Sequence, residues 1–259
     1  MKMIQRFSHE NIVWLDVIHP TNKDLRTILK ACPLPTELVG DLTSMTPRTE
    51  TKHAKNVLKI TLDFPVVKRT DIKHPHEIKF IATKSHLITI RFEDINAVHS
   101  FSKQLEVVNI LKHASKKATG AHLLLALLQY LYNALDEKID YLESRIQETE
   151  ENIFQDNEKE MLFAISNISR RAVSFKHVLE SHESALTDLD TAATSAFGRG
   201  YTHQIEAVVS TYEHLVRRAD RVRSVLEDLR DTNNALLSTK QNEVMKILTI
   251  MAFITFPLT

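Results

Sequence analysis

From Tyr201 to Phe256 the chain contains no glycine and no proline. Apolar or small side chains recur there at Ile205, Val208, Tyr212, Leu215, Ala219, Val222, Leu226 and Leu229, spaced alternately three and four. That spacing keeps one helix face dry, so the pattern predicts a single helix over the whole stretch. At 1.5 Å per residue such a helix would run roughly 85 Å. A stripe that long stays dry only by packing on the rest of the chain or on copies of itself, so self-association is the expected state. After Lys246 the charges stop, and Ile247 to Thr259 is almost wholly apolar. A polar-backed stripe that runs into an apolar segment describes a stalk entering a membrane. The apolar run is about 13 residues, against the roughly 20 that a full span needs. It reads as the first half of one.

Upstream, Tyr132, Leu135, Ile139, Leu142, Ile146 and Ile153 fall on a second seam of the same period. A polar break at Phe154 to Asn157 follows, and then a returning helix from Glu158 to about Leu189. These two make an αα-hairpin. The first part of the chain carries a different pattern. Ile12 to Val17 and Asn56 to Val67 read as strands, and Glu77 to Thr83 with His86 to Phe92 reads as a hairpin turning at Lys84-Ser85. Thr21 with Asp24 three residues on predicts a capped helix start, with Leu25, Ile28 and Leu29 on its buried face. Asp94 to Lys112 reads as a further helix.

Glycines and prolines mark the boundaries. Six of the seven prolines lie between Pro20 and Pro75, and the four glycines are Gly40, Gly120, Gly198 and Gly200. The expected organisation is an α+β or α/β domain over 1–118, a helical hairpin over 119–199, a stalk helix over 200–246, and the start of a membrane helix over 247–259. The whole is mostly helical.

Composition narrows the function classes. The chain has 259 residues, 43% hydrophobic, and its net charge is zero, which removes the simple electrostatic case for nucleic acid. The one cysteine, Cys32, cannot form an internal disulfide, and the expected state is a buried, inert thiol in a reducing compartment. Met1 to Glu10 has no apolar core of a secretory signal. Four glycines cannot build a phosphate loop, no His-Glu-x-x-His or paired-cysteine spacing occurs, and no carboxylate sits in a setting that argues for acid–base catalysis. An enzyme is therefore not expected. Arg217, Arg218, Arg221 and Arg223 wrap around the stalk helix and are expected to pair with nearby carboxylates. The hairpin tip is acidic, with Glu148, Glu150, Glu151, Asp156, Glu158 and Glu160 against Lys159. It is either a solvated turn or a collar that attracts cations.

The segment Asn242-Glu243-Val244-Met245-Lys246-Ile247-Leu248-Thr249-Ile250, continued by Phe256-Pro257-Leu258-Thr259, closely resembles the start of the first membrane helix in the CorA family of divalent-cation channels. Trp14-Leu15-Asp16, Leu58 to Pro65 and His86 to Ile90 are similar to that family's N-terminal domain, and Ala126-Leu127-Leu128 and Glu150 to Phe154 to its helical hairpin. The resemblance implies a homopentamer in the cell inner or plasma membrane, with this segment cytoplasmic. It implies a pore helix continuing each stalk, then a Gly-Met-Asn loop and a second span, both of which would lie past residue 259. The implied cargo is Mg2+, with Co2+ and Ni2+ as further ions, or Zn2+ if the chain is a zinc transporter of the same superfamily. A membrane-anchored coiled-coil scaffold is the reading from another class.

The resemblance also assigns residues. Asn242, Met245, Thr249, Ala252, Phe256 and Thr259 share one helix face, which in the family lines the pore. Met245 and Leu248 match its hydrophobic constriction, Phe256 a further apolar ring, and Asn242 and Thr259 polar rings. The family closes its pore when cations bind carboxylates between protomers. The matching positions here are Gly40-Asp41 in the first domain and Ala207, with Glu206 beside it, on the stalk. One carboxylate of the family's pattern is missing at each place, so the resemblance implies either a weaker regulatory metal pair of Asp41 with Glu206 or a branch that senses cations differently.

Overall fold

In a computed structural model of the chain, the described residues are 4–9, 12–46, 48–65, 76–107, 118–153 and 158–256. They divide into two compact units, Met1–Lys138 with Ser174–Arg217, and Ile139–Val173 with Arg218–Thr259.

The first unit is built on a sheet of β1 (Ile4–His9), β2 (Ile12–Ile18), β3 (Glu50–Ala54), β4 (Val57–Phe64), β5 (His76–Ala82) and β6 (His86–Arg91). The strand order is β1-β2-β6-β5-β4-β3. β2 and β6 run parallel, and every other neighbouring pair is antiparallel. α1 (Asn22–Ala31) follows β2 and starts as the sequence predicts. The Thr21 side chain accepts from the Asp24 amide at 3.2 Å, and the Asp24 carboxylate accepts from the Thr21 amide at 3.0 Å. Ile28 is buried, whereas Leu25 and Leu29 are half-buried.

Strand alternation gives the sheet two faces. One carries Leu15, Val17, Val57, Ile81, Ile88 and Ile90, covered by Ile28 and Cys32 and by Leu38 and Leu42 from the segment after α1. The same face carries Lys59 and Lys79, both buried. The opposite face carries Trp14, Leu58, Ile60, Phe64, Ile78 and Phe80, all buried. There Trp14 meets Phe101 of α2 (Asn96–Val107) edge-on at 5.7 Å, and Phe64 meets Tyr132 and His182 at 6.3 and 5.3 Å. Tyr132 belongs to α3 (Gly120–Ile153) and His182 to α4 (Glu158–Phe197). A sheet covered on both faces is an ordinary way to close a mixed core. Beside that core, Asp16 and Arg91 are paired at 2.8 Å and both are buried, with Thr89 donating to Asp16 at 2.6 Å and Trp14 donating to Thr89 at 3.0 Å.

α4 ends at Gly198, which has φ 89° and ψ 178°, a conformation open almost only to glycine. α5 (Thr202–Thr255) then runs for 54 residues. In the first unit its buried side chains are Ile205, Val208, Tyr212 and Leu215. In the second unit the buried seam is Ile139, Leu142, Ile146, Thr149 and Ile153 on α3, Ile165, Ile168 and Ala172 on α4, and Ala219, Val222, Leu226, Leu229 and Asn233 on α5. Asn233 continues the three–four spacing as a fully buried polar residue, the kind of substitution that fixes helix register at a cost in stability.

The fold class is the expected one, a mixed-sheet domain followed by long helices. Three particulars differ. The sequence pattern does not predict β1 or β3; both are edge strands rich in polar residues, so their alternation is faint. α4 continues past Leu189 to Phe197, because the small residues Ala192, Ala193 and Ala196 keep the buried seam going. The stalk stripe from Ile205 to Leu229 is covered within one chain, so that stripe does not itself require self-association.

One close approach carries a test. A Cβ on Gly120 would lie 2.1 Å from the His86 carbonyl oxygen and 2.5 Å from that of Thr83, both backbone atoms of the β5–β6 hairpin. Gly120→Ala is expected to cost about 1–3 kcal/mol in urea unfolding. Gly200→Ala, where no atom lies within 4 Å, should be close to neutral.

Candidate functional site

Of the pore-lining candidates, Asn242, Met245, Leu248 and Thr249 lie on the last four turns of α5, and Phe256 directly follows it. Beyond residue 240 every described residue is exposed, including Asn242, Met245, Leu248, Thr249 and Phe256. Met245 is 61% exposed, Leu248 55% and Phe256 85%. Val244, Ile247, Ile250, Met251, Phe253 and Ile254 are exposed too, so from Ile247 the helix is apolar on all sides. Such a helix is made for apolar surroundings rather than for water. The helix satisfies its own hydroxyls, with Thr249 donating to the Met245 carbonyl at 2.8 Å and Thr255 to that of Met251 at 2.9 Å. Thr259 lies outside the described residues. No helix among the described residues is long and apolar enough to cross a membrane.

The regulatory candidates are placed differently. Glu206 is exposed on the second turn of α5. Asp41 lies in the turn after α1, and both its carboxylate oxygens accept from Lys59 Nζ, at 2.5 and 2.6 Å. Burial opposes ionisation of Asp41, but the Lys59 hydrogen bond and charge, helped by Lys79, outweigh it and hold the carboxyl below its usual range. No group of three or more His, Cys, Asp or Glu side chains able to hold a metal occurs among the described residues.

At the hairpin tip, Glu150 and Glu151 are exposed, Asp156 lies outside the described residues, and Glu158 is placed only as the first residue of α4. Nearby carboxylates are paired within the protein: Glu148 with Arg145, and Glu151 with Gln147 at 3.3 Å. Three of the four stalk arginines pair with carboxylates as expected. Arg218 reaches Asp140 and Glu143, both at 2.6 Å, Arg223 reaches Glu227 at 2.9 Å, and Arg217 lies 3.6 Å from Glu213. Cys32 is buried, and its thiol is pushed up by that burial against a weaker pull from a Thr83 hydrogen bond.

Over residues 9–259 the chain matches the family model described as CorA-like Mg2+ transporter protein. The chain belongs to the CorA family. Among curated proteins, it is 26% identical over 229 residues to the cobalt/magnesium transport protein CorA of Thermotoga maritima. That match covers 86% of the chain and 63% of the relative, so the chain spans less than two thirds of the relative's length. Among solved structures, the CorA magnesium transporter of Methanocaldococcus jannaschii superposes with a TM-score of 0.79 at 18% identity, covering 96% of this chain and 77% of that one. The ZntB cytoplasmic domain of Vibrio parahaemolyticus gives 0.69 at 15% identity, covering 89% and 90%. These structural likenesses establish a common CorA fold.

Sequence reasoning missed a buried polar node in the first unit. His182 is fully buried. Its Nε2–H donates to the Asp63 carbonyl at 2.5 Å, and because a carbonyl only accepts, Nδ1 must accept from the Tyr132 hydroxyl at 3.0 Å. Tyr212 stacks on the same imidazole at 6.3 Å and donates to the Leu179 carbonyl at 3.0 Å. One histidine thus ties the end of β4 to three helices. Its only sequence signal is a histidine inside an apolar seam.

Burial pushes His182 down to about 4, against a smaller upward pull from the Asp63 carbonyl. The folded protein therefore holds it neutral, while the unfolded chain takes up a proton near 6.5. Its stabilisation is full above pH 6.5 and is lost as pH falls from there to about 4. Between pH 7 and pH 5 the loss should be roughly 2 kcal/mol in urea titrations. His86 and His122, also pushed down by burial, act in the same direction. In His182→Gln most of the slope should vanish; an unchanged slope would contradict the neutral, buried imidazole.

Proposed function

We propose that this chain is the cytoplasmic, funnel-forming part of a homopentameric membrane channel that carries Mg2+, and Co2+ and Ni2+ with it. One observation carries the reading. α5 keeps its stripe covered as far as Asn233, is exposed on every side past Lys240, and is apolar all round from Ile247. A helix that leaves its own domain in that state needs other copies and lipid around it.

The face Asn242, Met245, Thr249, Phe256, with Leu248 at its margin, offers an amide, a hydroxyl and apolar groups, but no carboxylate. Arranged around a five-fold axis, it would form polar and apolar rings. Mg2+ gives up its waters reluctantly, so a wall of neutral dipoles suits the passage of a hydrated ion. The apolar rings at Met245 and Leu248 would close the path by dewetting. The exposed acidic residues Glu150 and Glu151 would raise the local cation concentration near the cytoplasmic mouth.

Flux through the whole protein in liposomes tests the reading, with Mg2+, Co2+, Ni2+ and Zn2+ compared by an entrapped indicator. Mg2+ and Co2+ should enter down their gradients without a proton gradient, and Leu248→Ala should raise the rate several-fold by widening the constriction. Zn2+ uptake that needs a proton gradient would assign the chain to zinc transport instead. No flux of any ion would leave the scaffold.

A further inference from the structure

The polar half of the sheet face under the segment 39–46 holds two lysines where solvent would ordinarily be. The Lys59 side chain is 2% exposed and that of Lys79 is 0%. Each ammonium sits among oxygens. Around Lys59 Nζ are both Asp41 carboxylate oxygens at 2.5 and 2.6 Å, with Glu50 Oε1 at 4.0 Å. Lys79 Nζ donates to the backbone carbonyls of Asp41 and Ser44 and lies 3.3 Å from Glu77 Oε1. Two of the three N–H donors of Lys79 thus go to carbonyls, and the Glu77 carboxylate is its ion-pair partner. The other Glu77 oxygen accepts from the Thr46 amide at 2.7 Å and from the Thr46 hydroxyl at 2.5 Å. The segment is therefore fastened at Asp41, Ser44 and Thr46, above the fully buried Leu42.

Carboxylates and backbone carbonyls converging on one point are also the donor set that hard divalent cations choose. Glu50 is also paired with Lys52 at 2.7 Å, so a charge of +3 from Lys52, Lys59 and Lys79 already meets −3 from Asp41, Glu50 and Glu77. A further dication would enter a balanced site and would have to expel an ammonium that cannot diffuse away. The Asp41 side chain is still 27% exposed, so a cation can reach it from solvent, but only against Lys59 behind it.

We propose that Lys59 and Lys79 are tethered counterions: they occupy, from within the chain, the oxygen-lined seats that a cytosolic cation would otherwise fill, and they hold the segment 39–46 on the sheet at any Mg2+ concentration. Asp41 is then withdrawn from cation sensing, and any regulation by cytosolic Mg2+ must use other residues. The inference concerns the folded domain and does not depend on the transport reading.

The test is thermal unfolding of this chain with and without 10 mM Mg2+ or Mn2+, a concentration of roughly the order at which weak carboxylate sites fill. Any shift in the unsubstituted protein should be the same in Asp41→Asn. Lys59→Ala should lower Tm by roughly 5–15 °C, because it leaves Asp41 without its buried partner. Mg2+ or Mn2+ should then restore part of that loss, and in the double variant Lys59→Ala, Asp41→Asn it should restore none. Metal stabilisation of the unsubstituted protein that Asp41→Asn abolishes would overturn the proposal, as would a folded Lys59→Ala that no cation rescues. If Lys59→Ala does not fold, Lys59→Gln with the same additions, read beside the Asp41→Asn comparison, decides between the same outcomes.

Discussion

Along α5, the side chains Ile205, Val208, Tyr212, Leu215, Ala219, Val222, Leu226 and Leu229 must be kept from water, and α3 and α4 supply the seams that the same chain turns toward them. A helix of 54 residues has no other route to stability, since its polar faces contribute little beyond paired surface charges. The glycine at position 198 provides the turn between α4 and α5. The covered stripe also defines where the chain's own resources end. Past Asn233 no α5 side chain is buried, and the apolar segment from Ile247 is left for surroundings the single chain does not provide.

The first unit solves a different problem, the placing of charge and polarity inside a sheet covered on both faces. On the helical face His182 is held neutral and spends both ring nitrogens on bonds to Asp63 and Tyr132. On the other face the Lys59 and Lys79 ammonium groups each find acceptors in a short irregular segment. Burial lowers the pKa of Lys79, and the charges of Glu77 and Asp41 oppose that drop. Such interiors are costly when one partner is lost, so they specify how the loop and helices dock.

What was legible in the sequence follows from the range of each interaction. The stalk stripe, the α3 seam and the Thr21–Asp24 cap are periodic or local, and the structure shows them at the expected residues. Helix geometry alone puts Asn242, Met245, Thr249 and Ala252 on one side of α5, and their role there is a proposal. His182 was not readable, since its partners are 50 and 119 residues away. Lys59 and Lys79 were hidden more thoroughly. In the alternating runs Leu58-Lys59-Ile60-Thr61 and Ile78-Lys79-Phe80 they look like the solvent side of a strand, and only the folded segment 39–46 buries them. Asp41 could be picked out by resemblance to the CorA family, but the partner that occupies it, 18 residues on, could not.

On the proposed reading, the end of α5 meets its own copies around a five-fold axis. Disulfide trapping of the whole protein in native membranes, with cysteine placed at Asn242, tests it directly; the native Cys32 is buried and contributes little background. One cysteine per protomer can join only neighbouring pairs, and a ring of five always leaves one protomer over. Oxidation should therefore carry the protein into covalent dimers up to about four-fifths and no further. Conversion of all the protein to dimer would indicate an even-numbered assembly, and the absence of dimer would remove the shared pore.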